Sequence, residues 1–290
     1  MKENIEFSVL MSVYKNDNPE YLKIAIDSII NQTLKPNEIV LVVDGPIPDT
    51  IKSIIKEYNE KLDYLKIIYL KENGGLGKAL NVGLENCTCD IVARMDSDDI
   101  SLPDRFEKQI NEFKKDNSLS IIGGYISEFI DNPEESIGIR KVPLEYEEFS
   151  EFIKNRNPLN HMTVMFKKQN VLDAGNYQDF HFLEDYYLWI RMFLKGFKMK
   201  NVDSILVNAR VGADMYKRRG GWKYFKSCRK LQKYLLENKL ITWPKYIKNV
   251  ISRFIVQVLM PNSLRGFIYK KIMRKNKRFW KGNFCERTKF

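Results

Sequence analysis

Over the first hundred residues, apolar runs of strand length alternate with stretches of helical periodicity, and few architectures accommodate that order. Phe7–Val13 is an apolar run bounded by polar turns, the pattern of a strand buried on both faces. After Pro19, a helix-start residue, Leu22, Ala25, Ile26, Ile29 and Ile30 recur at helical spacing. A second strand is predicted over 38–43, a helix over 50–61, a third strand over 65–70, a helix over 78–85 and a fourth strand over 90–95. This alternation implies an α/β fold with a largely parallel, doubly wound sheet. Ligands of such sheets bind beyond the carboxyl ends of the strands. Asp44, Asn73 and Asp96 follow strands at that edge and should converge. Farther along, a helix is predicted from Pro103 to Lys115, strands over 119–130 and 163–166, and a helix over 183–195.

Charge divides the chain more sharply than composition does. Of 290 residues, 44% are hydrophobic and 29% charged, so a packed core is expected and global disorder is not. The net charge is +11, yet residues 217–290 hold 22 Lys+Arg against 2 Asp+Glu, a net +20. The 216 residues before them hold 26 bases and 35 acids, a net −9. A basic appendage should face something anionic: phospholipid headgroups, a lipid-linked diphosphate or nucleic acid. The longest apolar stretches run about a dozen residues, short of the roughly 20 that span a bilayer. The N-terminus has acids and no signal-like apolar region, so a cytoplasmic location is expected. Cys87, Cys89, Cys228 and Cys285 lack the spacing of a zinc site and read as unpaired packing thiols.

Two acidic segments carry the chemistry. In Arg94-Met95-Asp96-Ser97-Asp98-Asp99, three carboxylates within four residues repel one another and need a cation or abundant water. Oxygen-only ligands favour Mg²⁺ or Mn²⁺ shared with a diphosphate, and a solvated acidic turn is the plainer alternative. Glu184-Asp185 lies among bulky apolar residues at a predicted helix start. Such acids can complement the helix dipole or, partly desolvated, serve as a general base. Asn73-Gly74-Gly75-Leu76-Gly77-Lys78 fits neither the P-loop nor the dinucleotide fingerprint and, alone, reads as a turn.

Taken in order, these segments resemble glycosyltransferase family 2 over about residues 6–215. The matching segments are Ser8-Val9-Leu10-Met11-Ser12-Val13-Tyr14, Glu38-Ile39-Val40-Leu41-Val42-Val43-Asp44-Gly45, the stretch from Asn73 to Asn81, Asp96-Ser97-Asp98, and Glu184-Asp185 with Leu188 and Arg191. The resemblance implies the GT-A nucleotide-sugar-binding fold, with a mainly parallel central sheet, over 1–220. It implies an inverting transfer from a nucleotide-sugar donor, most readily a UDP-sugar, during bacterial surface-polysaccharide synthesis. By the same resemblance Ser12, Val13, Tyr14, Asp44, Asn73, Lys78, Asp96 and Ser97 contact the nucleotide-sugar, with Asp44 recognising uracil. Asp98 with Asp96 holds Mn²⁺ or Mg²⁺, Asp185 is the base, and Glu184 orients the acceptor or shares that role. His161, within Asn157-Pro158-Leu159-Asn160-His161-Met162-Thr163, and Arg191 are candidate contacts to acceptor or phosphate, His161 being equally a structural histidine. The pattern departs at Leu80, where many members carry arginine, and at Ser12-Val13, where many read Pro-Thr.

The appendage, 221–290, reads as helical. From Thr242-Trp243-Pro244, Ile247, Val250, Ile251, Phe254, Ile255, Val258 and Leu259 form one apolar face up to Pro261. A second basic stretch follows, with Leu264, Phe267, Ile268 and Ile272 beside Lys270, Lys271, Arg274 and Lys275, and then Phe279 and Trp280. This pattern suits an interfacial helix pair on an anionic membrane surface, at the inner face of the cell membrane, and also a helix packed on the catalytic domain. The acceptor expected in that setting is a polyprenyl-diphosphate-linked sugar or an oligosaccharide. Competing readings are a sugar-nucleotide pyrophosphorylase, whose glycine-rich basic signature is absent, and a nucleic-acid-binding protein. The acidic body and the lack of a zinc finger or aromatic RNA-binding signature argue against nucleic acid as a partner.

Overall fold

The computed structural model describes residues 5–212 and 220–261. Contacts divide the chain into two compact units: 1–126 with 142–209, and 127–141 with 210–290. The second half of the amphipathic appendage, from Leu264 through Trp280, lies outside the described residues.

In the first unit, β1 (Phe7–Val13), β2 (Glu38–Val43), β3 (Leu65–Tyr69) and β4 (Ile91–Met95) pair in parallel in the order β3-β2-β1-β4. Beyond β4 the pairing reverses. β8 (Met165–Lys167) runs antiparallel to β4 and to β6 (Leu119–Phe129), and the path continues through β9 (Lys198–Arg210) to β5 (Ile100–Ser101), which is antiparallel to β9. The parallel half is thus what the strand–helix alternation encodes, and the antiparallel half lies beyond it.

Alternate residues of the central strands enter separate cores on the two faces of the sheet, as the period of two requires. Phe7, Val9, Met11 and Val13 join Ile39, Leu41 and Val43 under α1 (Pro19–Ile30), α2 (Asp49–Lys61) and α4 (Arg105–Lys115). Leu10, Val40 and Val42 join the residues of α3 (Leu76–Asn86), α5 (Tyr146–Phe152), α6 (Lys168–Asp173) and α7 (Glu184–Leu194). Helix α1 begins at Asn18, whose side chain accepts from Glu20 N and Tyr21 N, with Pro19 in the first turn.

In the second unit, β7 (Gly138–Arg140) pairs with β6, and α8 (Gly221–Glu237) packs against α9 (Trp243–Phe254). A π-helical turn, Ile255–Leu259, extends α9. Trp222, Phe225 and Phe254 form an aromatic cluster with ring centroids 5.5–5.7 Å apart. Among the described residues no helix is long and apolar enough to cross a membrane.

Candidate functional site

Because β1, β2 and β4 are parallel neighbours, with Val13 beside Val43 and Met11 beside Met95, their carboxyl ends share one edge. The residues that follow them, Tyr14, Asp44 and Asp96, therefore gather there. Asp44 is buried, and its carboxylate latches the next loop. Oδ1 accepts from Gly74 N at 2.7 Å, and Oδ2 accepts from Gly75 N at 3.0 Å and Asn73 Nδ2 at 2.9 Å. Gly45 makes the latch sterically feasible. Its φ is +83°, and an added Cβ would lie 2.5 Å from Asn73 N. Gly75, at φ +84°, then starts α3. Lys78 lies in that first turn with its stem over Gly74 and its ammonium 3.6 Å from Glu72, an exposed and weak pair. Leu80 is fully buried and serves the core.

The acid cluster has a buried cation behind it. Arg94, on β4, is almost wholly buried and its Nη2 pairs with Asp96 Oδ1. Its Nε and Nη1 are buried without hydrogen-bond partners. A further carboxylate, absent from the sequence-based set, arrives from the β1–α1 loop. Asp17 Oδ2 accepts from Tyr14 N at 3.1 Å and from Ser97 Oγ at 2.9 Å. Burial pushes Asp17 up to about 6, Asp96 adds to the shift, and those two hydrogen bonds oppose it. Desolvation, then the charges of Asp96 and Asp17, push Asp98 up to about 6 against the pull of Arg94. Asp98 stays open to solvent, so the neighbouring carboxylates carry more of that shift than burial does. Arg105, also fully buried, braces the strand from α4: its Nη2 donates to Arg94 O at 2.7 Å. Ser12 is half-buried at the end of β1, Val13 lies in the core, and Ser97 Oγ is engaged by Asp17.

On the other side of β4, α7 begins with Glu184 and Asp185. Asp185 Oδ2 accepts from Asn157 Nδ2 at 2.6 Å, which fixes the carboxylate, and Oδ1 accepts from Tyr186 N at 2.6 Å. Glu184 packs on α3, its Cγ 3.3 Å from where a Cβ on Gly77 would stand. Burial first and Asp185 second raise its pKa. Phe182, just before the pair, holds a left-handed φ of +63° and donates its N–H to Glu184 Oε1 at 3.2 Å. Tyr177 is buried within electrostatic reach of both Asp185 and Asp96.

Arg191 and His161 both make contacts within the fold. Arg191 turns inward, with Nη1 donating to Ala174 O and Nη2 to Asn176 O, both at 2.6 Å, and its guanidinium over the Tyr187 ring. There it clasps the turn before α7. His161 Nε2 lies 3.0 Å from Tyr177 Oη, and the ring sits against Tyr177 and Trp189. Desolvation there, with Arg94 adding, holds its pKa well below the ordinary imidazole range, so it is neutral near pH 7. Sequence pattern missed Asp17, because its partner Ser97 is 80 residues away, and Arg105, because it reads as an ordinary helix-start base.

The family model described as glycosyl transferase family 2 matches residues 8–172. The amylovoran biosynthesis glycosyltransferase AmsE of Erwinia amylovora is 39% identical over 265 residues, covering 91% of this chain and 98% of that protein. An Escherichia coli UDP-Gal:alpha-D-GlcNAc-diphosphoundecaprenol beta-1,3-galactosyltransferase is 37% identical, covering 93% of this chain and 97% of the relative. The mannosyltransferase PcManGT of Pyrobaculum calidifontis, solved with GDP-Man and Mn²⁺, superposes with a TM-score of 0.62 at 14% identity, over 90% of this chain and 71% of that one. TarS of S. aureus with UDP-GlcNAc superposes with a TM-score of 0.61 at 21% identity, over 87% and 73%. These structural likenesses bear on the fold, which is GT-A-like.

Proposed function

This chain belongs to glycosyl transferase family 2, and we propose that it moves a hexose or N-acetylhexosamine from a UDP-sugar to a lipid-linked or oligosaccharide acceptor, with inversion, in surface-polysaccharide synthesis. The observation that carries this reading is a pair of acidic centres of different character, both within electrostatic reach of buried Tyr177. One is a crowded carboxylate group, Asp17, Asp96 and Asp98; the other is a single carboxylate oriented by an amide, Asp185 on Asn157. The relatives support the substrate classes: one is described by a UDP-galactose donor and a diphosphoundecaprenol-linked acceptor.

The first centre suits a divalent cation. Its donors are oxygens only, and the carboxylates of Asp17, Asp96 and Asp98 crowd together, with Asp96 paired to buried Arg94. Among the described residues, no three His, Cys, Asp or Glu side chains are gathered to cage an ion. Oxygen donors suit Mn²⁺ or Mg²⁺, which Asp98 with Asp96 would hold together with substrate phosphates, as Mg²⁺ sites commonly are. A bound cation would supply charge to stabilise the departing diphosphate. The second centre does proton work. Asp185 takes the proton of the acceptor hydroxyl as its oxygen bonds to the anomeric carbon, and the bond from that carbon to the diphosphate oxygen breaks on the opposite face. Asn157 holds the carboxylate for that approach, and Glu184 lines the acceptor side. Asp44, while latching the 73–75 loop, sits where the uracil ring would be read. This reading also places the enzyme peripherally at the inner membrane face, where a lipid-linked acceptor is reached.

A donor screen tests it. Nucleoside diphosphate release is measured with UDP-, GDP- and dTDP-sugars, with and without Mn²⁺, for wild type, Asp185→Asn and Glu184→Gln. Turnover should favour a UDP-sugar, and Asp185→Asn should lose roughly a thousandfold or more in transfer while donor binding persists. Near-normal transfer by Asp185→Asn with a dead Glu184→Gln moves the base to Glu184, and a product of retained anomeric configuration rules out inversion.

A further inference from the structure

We infer that the outward ridge of α9 is a docking surface for an anionic lipid bilayer. The amphipathic face read from sequence is divided by the fold. Val250, Phe254 and Val258 are half-buried, and Phe254 stacks into the cluster with Trp222 and Phe225. Asn249 Nδ2 donates to Gln232 Oε1 at 2.8 Å, and Gln257 Nε2 to Cys228 Sγ at 3.4 Å. These contacts fix the rotation of α9 against α8. What they leave outward is Trp243, Ile247, Ile251, Ile255 and Leu259, each between 46% and 64% exposed. Spaced by four, they form a single line along the helix and its π-helical extension, about 24 Å long at 1.5 Å per residue.

The chemistry around the ridge selects its occupant. Residues 221–261 hold nine Lys and Arg against one acid, Glu237, and none of the acids lies on α9. Lys248 is exposed on α9, as are Lys223, Lys226, Arg229, Lys230 and Lys233 on α8. A second copy of the chain would set this charge against itself. Residues 262–290, with ten bases to one acid, are like-charged too. A nucleic acid offers phosphates but no apolar phase for three isoleucines and a leucine. A bilayer of anionic lipid offers both, with the terminal Trp243 at the headgroup level where tryptophan is favoured. Each base near such a surface adds on the order of 1 kcal/mol. The inference names the surface behind the peripheral location proposed above and does not depend on the sugar chemistry.

The test is co-sedimentation of the full chain with phosphatidylcholine vesicles, with and without phosphatidylglycerol. Wild type should bind the anionic vesicles, and salt should weaken binding without abolishing it, since apolar burial is not screened. The triple variant Ile247→Ser/Ile251→Ser/Ile255→Ser should bind about a hundredfold more weakly. Its melting temperature and its transfer to a water-soluble acceptor should match wild type, because these side chains are exposed and outside the site. Phe254→Ser, by contrast, should lower the melting temperature. Transfer is read in the same samples, so an inactive protein that still binds vesicles condemns the catalytic reading alone. The inference is overturned by wild type that ignores anionic vesicles, by equal binding of neutral and anionic vesicles, or by a triple variant that binds as wild type does. It is equally overturned if the triple substitution dissolves a dimer, or if salt-sensitive RNA binding takes the place of vesicle binding.

Discussion

At Arg191 a charge beside the site does mechanical work. Its two 2.6 Å bonds hold the carbonyls of Ala174 and Asn176 on either side of Gly175, at φ +87°, so the turn leading to α7 is closed by one guanidinium. Arg191→Leu keeps the bulk but strands both acceptors and should cost about 2–5 kcal/mol. Thermal unfolding without ligand reads this directly. An unchanged melting temperature would remove the clasp role. His161 makes a pH prediction. Its folded-state pKa is depressed, so the unfolded chain binds the proton first. Its contribution is therefore present above the unfolded value near 6.5 and is lost as pH falls below it, by about 1.4 kcal/mol per pH unit. His161→Gln retains a partner for Tyr177 Oη and should flatten that slope in denaturant titrations between about pH 6.5 and 5. The wild-type-minus-variant difference isolates the imidazole from Asp17 and Asp98. Those carboxyls, raised from 3.8 to about 6, act with the opposite sign, losing stability as pH rises through that window. A slope equal in both proteins would show that the imidazole is not buried neutral.

Among the elements, α3 is the tightest fit. At Gly83 an added Cβ would stand 2.3 Å from Leu10 Cδ1 and 2.8 Å from Val42 Cγ2, both in fully buried side chains. Gly83→Ala gains up to about 1 kcal/mol of helix propensity but overpacks a closed core at about 1–3 kcal/mol or more. The clash wins. The urea midpoint should fall with the m-value unchanged, and a raised midpoint would mean that α3 sits farther from the sheet. The elements legible in sequence are those with a single dominant signal. β1 to β4 are short apolar runs ended by polar turns, α1, α2 and α4 bury one stripe each, and α7 is an apolar run buried on most sides. β9 was not legible: Lys198, Lys200, Asp203, Ser204 and Asn208 interrupt it, and its burial alternates irregularly because it lies toward the sheet margin. α5 and α6 span only seven and six residues, below the length at which periodicity speaks. The 163–166 strand prediction was displaced because His161–Thr163 forms a 3-10 turn and the ladder begins at Met165. Within the site, the acids at strand ends could be read in advance. The inward turn of Arg191 and the arrival of Asp17 depend on tertiary neighbours that no local pattern encodes.

On the scale of the whole molecule, a crowded acid cluster should make nucleotide and cation bind as a pair. UDP and Mn²⁺ together at a hundredfold excess over Kd should stabilise the fold by about 2.7 kcal/mol, roughly 5–10 °C in Tm. Either one alone should give clearly less. Asp98→Asn should erase the increment that Mn²⁺ adds to UDP, and wild-type turnover should stop in excess EDTA. An equal shift with UDP alone, or full turnover in EDTA, would dismiss the cation. The reversal of strand direction at β4 has a consequence for inheritance. Residues up to Asp98 supply the edge assigned to the nucleotide, whereas Asn157, Glu184 and Asp185 approach from beyond the reversal and later in the chain. On the proposed reading, the two substrates are thus recognised by successive blocks of one gene. A recombination breakpoint between those blocks would graft a new acceptor preference onto an old donor without cutting a strand of the parallel half. Lineages that must keep changing their coats could then draw new linkages from parts already tested, one block at a time.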